Sequence, residues 1–383
     1  MLFYFDLPTW LRMIRLAARE SGALRRHLLV RLLVWVPLVA TFHALCFALD
    51  VVLWPSLRRV EIRTPIFVLG HARSGTTLVH RLMSLDERTS AFRLYELYFP
   101  SLLQKKAIRA GARIDARWLG GRLARRVAAW EERRYGKTRH IHAMALAAPE
   151  EDDIVFYWSC ASGMWITKMP YMGELDFYHV DDRPPARRRR LLRFYADCVR
   201  RQLVLNGVDK VHLSKNPIFA GRVESLIESF PDARFVVPMR HPDETIPSLL
   251  KLMKVSWSLY HWDDAKMRRS LEVLAAQSVH TYRHPLEVLA RHPETPHAVV
   301  DYRDLTSDPA ATLERVYAEI GLAMTPQLRD ALAKESQRAR RHETSHRYSL
   351  DEFGLAPGAI RSGLGDLYER FGWDDAAPEA AAP

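Results

Sequence analysis

A chain of 383 residues with 48% hydrophobic residues is long enough to bury one large core or two smaller ones, so size excludes nothing. The formal charge of +11 is carried mainly by arginine and favours anionic partners, although arginine- and alanine-rich usage is also what a GC-rich genome writes by default. Three cysteines, Cys46, Cys160 and Cys198, lack metal-ligand spacing and cannot make a disulfide framework, so a stapled secreted scaffold is excluded and a reducing compartment favoured.

In chain order, the first unusual stretch is LLVWVPLVATFHALCFAL, Leu32 to Leu49, without a formal charge and close to the length that crosses a bilayer. Arg12, Arg15, Arg19, Arg25, Arg26 and Arg31 precede it, and Arg58, Arg59 and Arg63 follow. It starts too far into the chain for a cleavable signal and lacks a small-residue cleavage site. Pro37 and the flanking arginines fit a kinked, membrane-embedded or interfacial helix better than a clean span; a buried core helix is the alternative. Residues 1–60 are therefore read as a basic, hydrophobic, membrane-associated segment and residues 61–373 as one catalytic domain. Residues 374–383, rich in Ala and Pro, are read as a disordered tail.

An apolar strand, Ile66 to Leu69, then runs into Gly70, and after four more residues come Gly75, Thr76 and Thr77, followed by an apolar face at helical spacing. This is the outline of a phosphate loop, except that Thr76 stands where a nucleotide-hydrolysing loop has its lysine. The only cation in the loop is Arg73. Leu97 to Glu132 reads as a basic helix, and Pro149 with the acidic run after it as a helix start. The aromatic and methionine-rich stretch from Ile154 to Met172 is either buried core or the wall of an apolar acceptor pocket.

Beyond it the pattern predicts a helix from Pro185 to Leu205, a strand Val211 to Ser214, and a helix Ala220 to Ser229. A strand Arg234 to Met239 follows, then helices Asp243 to Lys254 and Met267 to Arg291. A strand His297 to Asp301 and two last helices complete the series. Short apolar strands alternating with helices specify an α/β, P-loop-like fold: a central parallel sheet with helices on both faces, plus the N-terminal hydrophobic helical segment. Ligands of such sheets bind beyond the carboxyl ends of the strands. The loops there carry Arg73 to Thr77, Lys215, Arg240 and Tyr302, which is equipment for a nucleotide with several separated anionic groups.

Three of these segments together resemble the sulfotransferases that use 3′-phosphoadenosine 5′-phosphosulfate (PAPS), most closely the branch with an RSGTT loop that includes the tyrosylprotein sulfotransferases and bacterial relatives. PIFVLGHARSGTTL (Pro65–Leu78) resembles the 5′-phosphosulfate loop, RHPDETIPS (Arg240–Ser248) the 3′-phosphate motif, and YRDLTSDP (Tyr302–Pro309) a segment near the adenosine. The resemblance implies a sulfuryl transferase in which Arg73, Ser74, Gly75, Thr76, Thr77, Arg240, Ser248 and Tyr302 hold PAPS. Arg73 and Lys215 would stabilise the leaving phosphate, although Asn216 stands where the related N-K-D-P segment has aspartate. No magnesium is needed, which accounts for the missing loop lysine.

By the same resemblance Glu96 is the base, with His140, His142, Glu150 and Glu151 as rivals, while His71 and His80 are structural. The acceptor is a hydroxyl on a lipid-like molecule, a carbohydrate or another small molecule, and the enzyme is placed on the cytoplasmic face of a membrane, or in the cytoplasm. Nucleic acid is not a predicted partner, because the basic residues are dispersed and no recognition motif is present. Two other readings remain open at this point: a P-loop kinase or NTPase, and a non-catalytic membrane-attached anion-binding protein of the same fold.

Overall fold

The structure, a computed structural model, describes residues 2–136, 144–339, 353 and 357–373. Five strands, β1 (Ile66–Val68), β2 (Thr89–Ser90), β3 (Val211–Lys215), β4 (Arg234–Met239) and β5 (His297–Asp301), form a sheet in the order β2-β3-β1-β4-β5. β2 pairs with β3 and β4 with β5 in parallel, and helices surround the sheet, as the alternating pattern predicts. β1 and β4 are buried along nearly their whole length, which is why they read as unbroken apolar runs. β2, only two residues long, has no periodicity to read and was not anticipated.

The chain divides into two compact units. The first comprises Met1–Ile66, Glu87–Ser162 and Arg183–Lys215; the second comprises Phe67–Asp86, Gly163–Asp182 and Asn216–Pro383.

In the first unit the apolar N-terminal stretch belongs to one continuous helix, Gly22–Leu53, long and apolar enough by length and composition to cross a membrane. A wide π turn, Arg31–Trp35, lies just before Pro37, where the Val36 N–H reaches back to Arg31 O. Proline has no N–H to donate and its ring crowds the preceding turn, so the helix opens there. Leu32, Val36, Ala40, His43, Phe47 and Asp50 make its buried face. Asp50 fixes the far end: its carboxylate accepts from Ser101 Oγ, from the Leu102 and Leu103 N–H groups, and from buried Arg201 Nε at 2.7 Å.

The single basic helix expected from Leu97 to Glu132 is instead a hairpin of two helices, Leu102–Trp118 and Arg122–Tyr135, after a short one, Leu94–Tyr98. Gly120 and Gly121 adopt positive φ at the corner, and Asp115 accepts from the Leu123 and Ala124 N–H groups to cap the returning helix. The acidic run after Pro149 also departs from expectation. Rather than opening an α-helix it forms a 3-10 turn, Asp152–Phe156, because its carboxylates are used inside the unit. Asp152 bonds Tyr195 Oη and His212 Nε2, and Asp153 accepts from Ser162 Oγ.

In the second unit the helices Thr76–Met83, Val223–Ser229, Pro242–Ser258 and Asp264–Arg291 accompany β1, β4 and β5. Trp165 and Met169 of the aromatic stretch are fully buried, with Trp257 Nε1 donating to Ile166 O at 2.6 Å, so this part of the stretch is core. Gly221 has to be glycine: a Cβ there would meet Tyr178 O at 1.4 Å, where the chain crosses close enough for Val180 and Asp181 to donate to Gly221 O.

Candidate active site

The second unit holds most of the predicted donor site. β1 ends at Val68, and Leu69 N–H still pairs with Val236 O, so the loop from Gly70 starts at the carboxyl edge of the sheet. Gly70 has φ +148 with Pro238 O 3.1 Å from where a Cβ would lie, and Gly75 has φ +101. Arg73 carries φ +72, an uncommon conformation for a side-chain-bearing residue and one that concentrates at functional loops. The helix Thr76–Met83 follows, and Leu78 and Val79 both return their N–H groups to Gly75 O. The N–H groups ahead of them, on Gly75, Thr76 and Thr77, are those a helix start leaves without intrahelical partners. Ser74 is fully buried, and its Oγ has no hydrogen-bond partner among the described residues. Thr76 is buried and Thr77 exposed.

The second motif comes to the same place. β4 ends at Met239, and Arg240 precedes helix Pro242–Ser258, which carries Ser248 on its second turn. Arg73 Nε donates to Ser248 Oγ at 3.1 Å, which joins two motifs 175 residues apart. The Arg240 guanidinium lies 4.3 Å from the ring centroid of Tyr302, and that ring covers Gly75, with Tyr302 Cδ2 only 2.6 Å from where a Cβ would stand. Arg240 also pairs with Glu244 at 2.6 Å. Its main-chain oxygen accepts from Tyr282 Oη, and the Tyr282 ring stacks on His71 at 4.7 Å. Burial pushes the His71 pKa down to about 4, so the imidazole inside the loop is neutral and acts as packing, as the sequence reading expects. Tyr302 opens a short helix, Tyr302–Ser307, capped by Asp301, which accepts from the Arg303 N–H.

Lys215 and Glu96 belong to the first unit. Lys215 closes β3, is 1% exposed, and its Nζ lies 3.4 Å from Glu151 Oε1. Glu96 is completely buried near the start of helix Leu94–Tyr98. One oxygen accepts from the Arg93 N–H at 3.2 Å, and the other from Tyr95 Oη at 3.0 Å and Arg109 Nη2 at 3.2 Å. His140 and His142 lie outside the described residues. Asn216, which departs from the aspartate of the related segment, belongs to the second unit. Its Oδ1 accepts from the Ile218 N–H at 3.0 Å and caps the turn Pro217–Arg222, and its buried Nδ2 has no partner among the described residues. Sequence reasoning passed over the Glu151–Lys215 contact, because 64 residues separate the two groups and an acidic run ordinarily reads as solvated.

A lysine-free loop opening a helix, an arginine just after β4, a serine on the helix that follows it, and an aromatic ring over the loop glycine thus come together in the second unit. Comparison with known proteins identifies the family. The model of the sulfotransferase family matches residues 65–326, and the chain belongs to that family. It is 26% identical, over 83% of its length and 77% of theirs, to the omega-hydroxy-beta-dihydromenaquinone-9 sulfotransferases Stf3 of Mycobacterium bovis and Mycobacterium tuberculosis. Its fold is that of sulfotransferase STF9 from Mycobacterium avium, with a TM-score of 0.71 and 17% identity over 96% of this chain and 93% of that one. Sulfotransferase STF1 from Mycobacterium tuberculosis H37Rv gives a TM-score of 0.65 and 21% identity over 96% and 95%. The chain is thus an enzyme that transfers a sulfuryl group.

Proposed function

We propose that the chain transfers the sulfuryl group of PAPS to the hydroxyl of a lipid-like acceptor, by direct in-line displacement without a metal, at the cytoplasmic face of a membrane. The observation that carries this reading is the meeting of Arg73 with Ser248 and of Arg240 with Tyr302 above Gly75. A donor with a 5′-phosphosulfate and a 3′-phosphate requires two anion sites of this kind. Ser74 Oγ, the N–H groups from Gly75 to Thr77 and the threonine hydroxyls suit the first; Arg240 and Ser248 suit the second, with Tyr302 toward the adenosine. Stf3 is named for an omega-hydroxylated dihydromenaquinone. An acceptor of that kind, an apolar molecule bearing a hydroxyl, suits a chain with an apolar N-terminal helix.

As the acceptor oxygen attacks sulfur, negative charge grows on the departing phosphate. Arg73 and Lys215 are assigned to neutralise it, which is usually the largest catalytic contribution. A glutamate takes the hydroxyl proton. Glu96 is fully buried with its oxygens engaged by the Arg93 N–H, a phenol and a guanidinium, whereas Glu151 is partly exposed beside Lys215, and the base is assigned to Glu151 on that ground.

Thermal denaturation tests the donor. The product 3′-phosphoadenosine 5′-phosphate at a hundred times its Kd stabilises the fold by about 2.7 kcal/mol and shifts Tm more than Mg-ATP does; a larger shift with Mg-ATP overturns the reading in favour of a kinase. Arg73→Ala lowers transfer by about a hundredfold or more with folding intact, and unchanged biological output in that variant would favour a non-catalytic protein.

A further inference from the structure

The exposed large apolar side chains are unevenly distributed. Among the described residues all but Val255 and Leu259 lie in the first unit. Scattered exposed leucines are ordinary on any surface, but a contiguous set on one element marks an interaction face. On helix Gly22–Leu53 they recur as Leu38, Phe42, Leu45, Leu49 and Val52, at alternating spacings of four and three, which is one stripe of an α-helix. Leu45 is 62% and Val52 75% exposed. The opposite stripe cannot turn outward to relieve this. Asp50 is tied to buried Arg201 and to the start of helix Leu102–Trp118, and His43 Nδ1 meets Gln104 at 2.9 Å.

The ends of the stripe are chemically different. Between Leu7 and Arg31 the chain carries Arg12, Arg15, Arg19, Arg25, Arg26 and Arg31 against one acid, Glu20. Helix Leu7–Ala18 precedes the long helix, and Trp10 Nε1 donates to Leu32 O at 2.9 Å, which docks the two together at the π turn. Along the first helix runs an open groove of about 440 Å³ lined by Leu7, Leu11, Arg12, Arg15 and Arg187, with Asp6 holding Arg187 at 2.7 Å. Exposed leucines beside exposed arginines fit the boundary between lipid headgroups and acyl chains.

We propose that residues 7–53 form a docking face for an anionic bilayer: the stripe from Leu38 to Val52 lies among the acyl chains, and the Arg12–Arg15 groove takes a lipid phosphate. The helix lies along one leaflet and does not cross, because crossing would carry its own Asp50, with Arg201 and Gln104 buried beside it, into hydrocarbon. A second copy of the chain is a poorer occupant. A two-fold contact through this face would bring one arginine-rich end against its equivalent or leave it unneutralised, whereas acidic headgroups neutralise it. The inference deepens the proposed function and rests on it in one respect: an apolar acceptor reaches the enzyme from that membrane.

Flotation of the full-length chain with phosphatidylcholine vesicles and with vesicles enriched in phosphatidylglycerol tests it. Binding is expected to the anionic vesicles, to weaken in high salt, and to be far lower on phosphatidylcholine. Leu38→Glu combined with Leu45→Glu, both solvent-facing, lowers the vesicle partition coefficient about tenfold or more, and Arg12→Gln with Arg15→Gln lowers it by about thirtyfold. Unchanged circular dichroism and Tm show that the variants fold. Equal binding to both vesicle types, or binding indifferent to either pair of substitutions, overturns the proposal. So does a solution mass of two copies that falls to one in the Leu38→Glu, Leu45→Glu variant. Sulfuryl transfer from PAPS to a soluble short-chain alcohol, measured without vesicles, keeps the two readings apart. Its failure in the wild-type chain counts against the proposed PAPS-to-hydroxyl reading while vesicle binding still reports on the docking face.

Discussion

At the scale of single residues, Glu96 and Glu151 are the two carboxylates proposed for the proton of the acceptor, and their surroundings separate them. Glu96 is held by a main-chain N–H and by Arg109, so it acts first on the start of its own helix. Glu151 is partly open and touches Lys215. Glu151→Gln is therefore expected to lower kcat by about two to four orders of magnitude, with a smaller loss of Tm than Glu96→Gln because the amide can still face Lys215. Glu96→Gln should lower Tm before it lowers kcat; the reverse pattern in steady-state kinetics and thermal melts would return the base to Glu96. A neighbouring residue gives a second expectation. Lys105 is wholly buried, with its ammonium over the Phe92 ring, and burial pushes its pKa down to about 8. A lysine that protonates more readily unfolded than folded makes stability rise with pH between the folded value and the ordinary value of 10.5. Lys105→Met removes that rise, which is about 3 kcal/mol by the size of the shift, and stabilises the protein at neutral pH. Urea unfolding of both proteins at pH values on either side of 8 measures it, and parallel pH slopes would refute it.

At the scale of elements, what holds the N-terminal helix is a polar cluster rather than apolar packing alone. Asp50 gathers four donors from two later helices, one of them the fully buried Arg201. Removing one partner of a buried ion pair leaves the other charge uncompensated, at a cost of about 3–5 kcal/mol. Asp50→Ala is thus expected to lower the unfolding free energy from urea titration by that amount and to release helix Gly22–Leu53 to protease, whereas Leu49→Ala, one residue away on the exposed stripe, leaves both unchanged. This anchoring explains where sequence reading stopped. The apolar run was legible as a helix and Pro37 as its irregularity, because both signals are local. That Asp50 pairs with Arg201 was not, since 151 residues separate them and either could equally face water. The split of the basic helix at Gly120 and Gly121 was written in the sequence as a glycine pair and an Asp five residues earlier, and the continuous basic composition hid it. The position of the strand-end loops was the most legible part. Chain direction and sheet topology force every strand-end loop to one edge, so Arg73 and Ser248 meet without any local signal linking them.

At the scale of the whole molecule, acid is expected to act on both units at once. Burial lowers the pKa of His43 in the first unit and of His71 in the second to about 4, below the ordinary 6.5. Each is neutral when folded and takes up a proton on unfolding in the window between those values. The sign follows from that: the unfolded chain binds more protons there, so stability is complete above 6.5 and is lost as pH falls toward 4. Each histidine contributes up to about 3 kcal/mol of that loss, a large share of the 5–15 kcal/mol that about covers a typical domain. A protein already at a formal charge of +11 gains further positive charge over the same range, which adds repulsion in the same direction. The two contributions respond differently to salt. Repulsion among exposed charges is screened by added sodium chloride, while the penalty for charging a buried imidazole is not. Urea midpoints taken from pH 7 to pH 4 at low and high salt should therefore fall in both, with a residual slope at high salt that His43→Gln reduces and that His27→Gln, exposed on the same helix, does not. If high salt abolished the slope altogether, surface charge alone would account for the acid sensitivity and the neutral buried histidines would have no part in it.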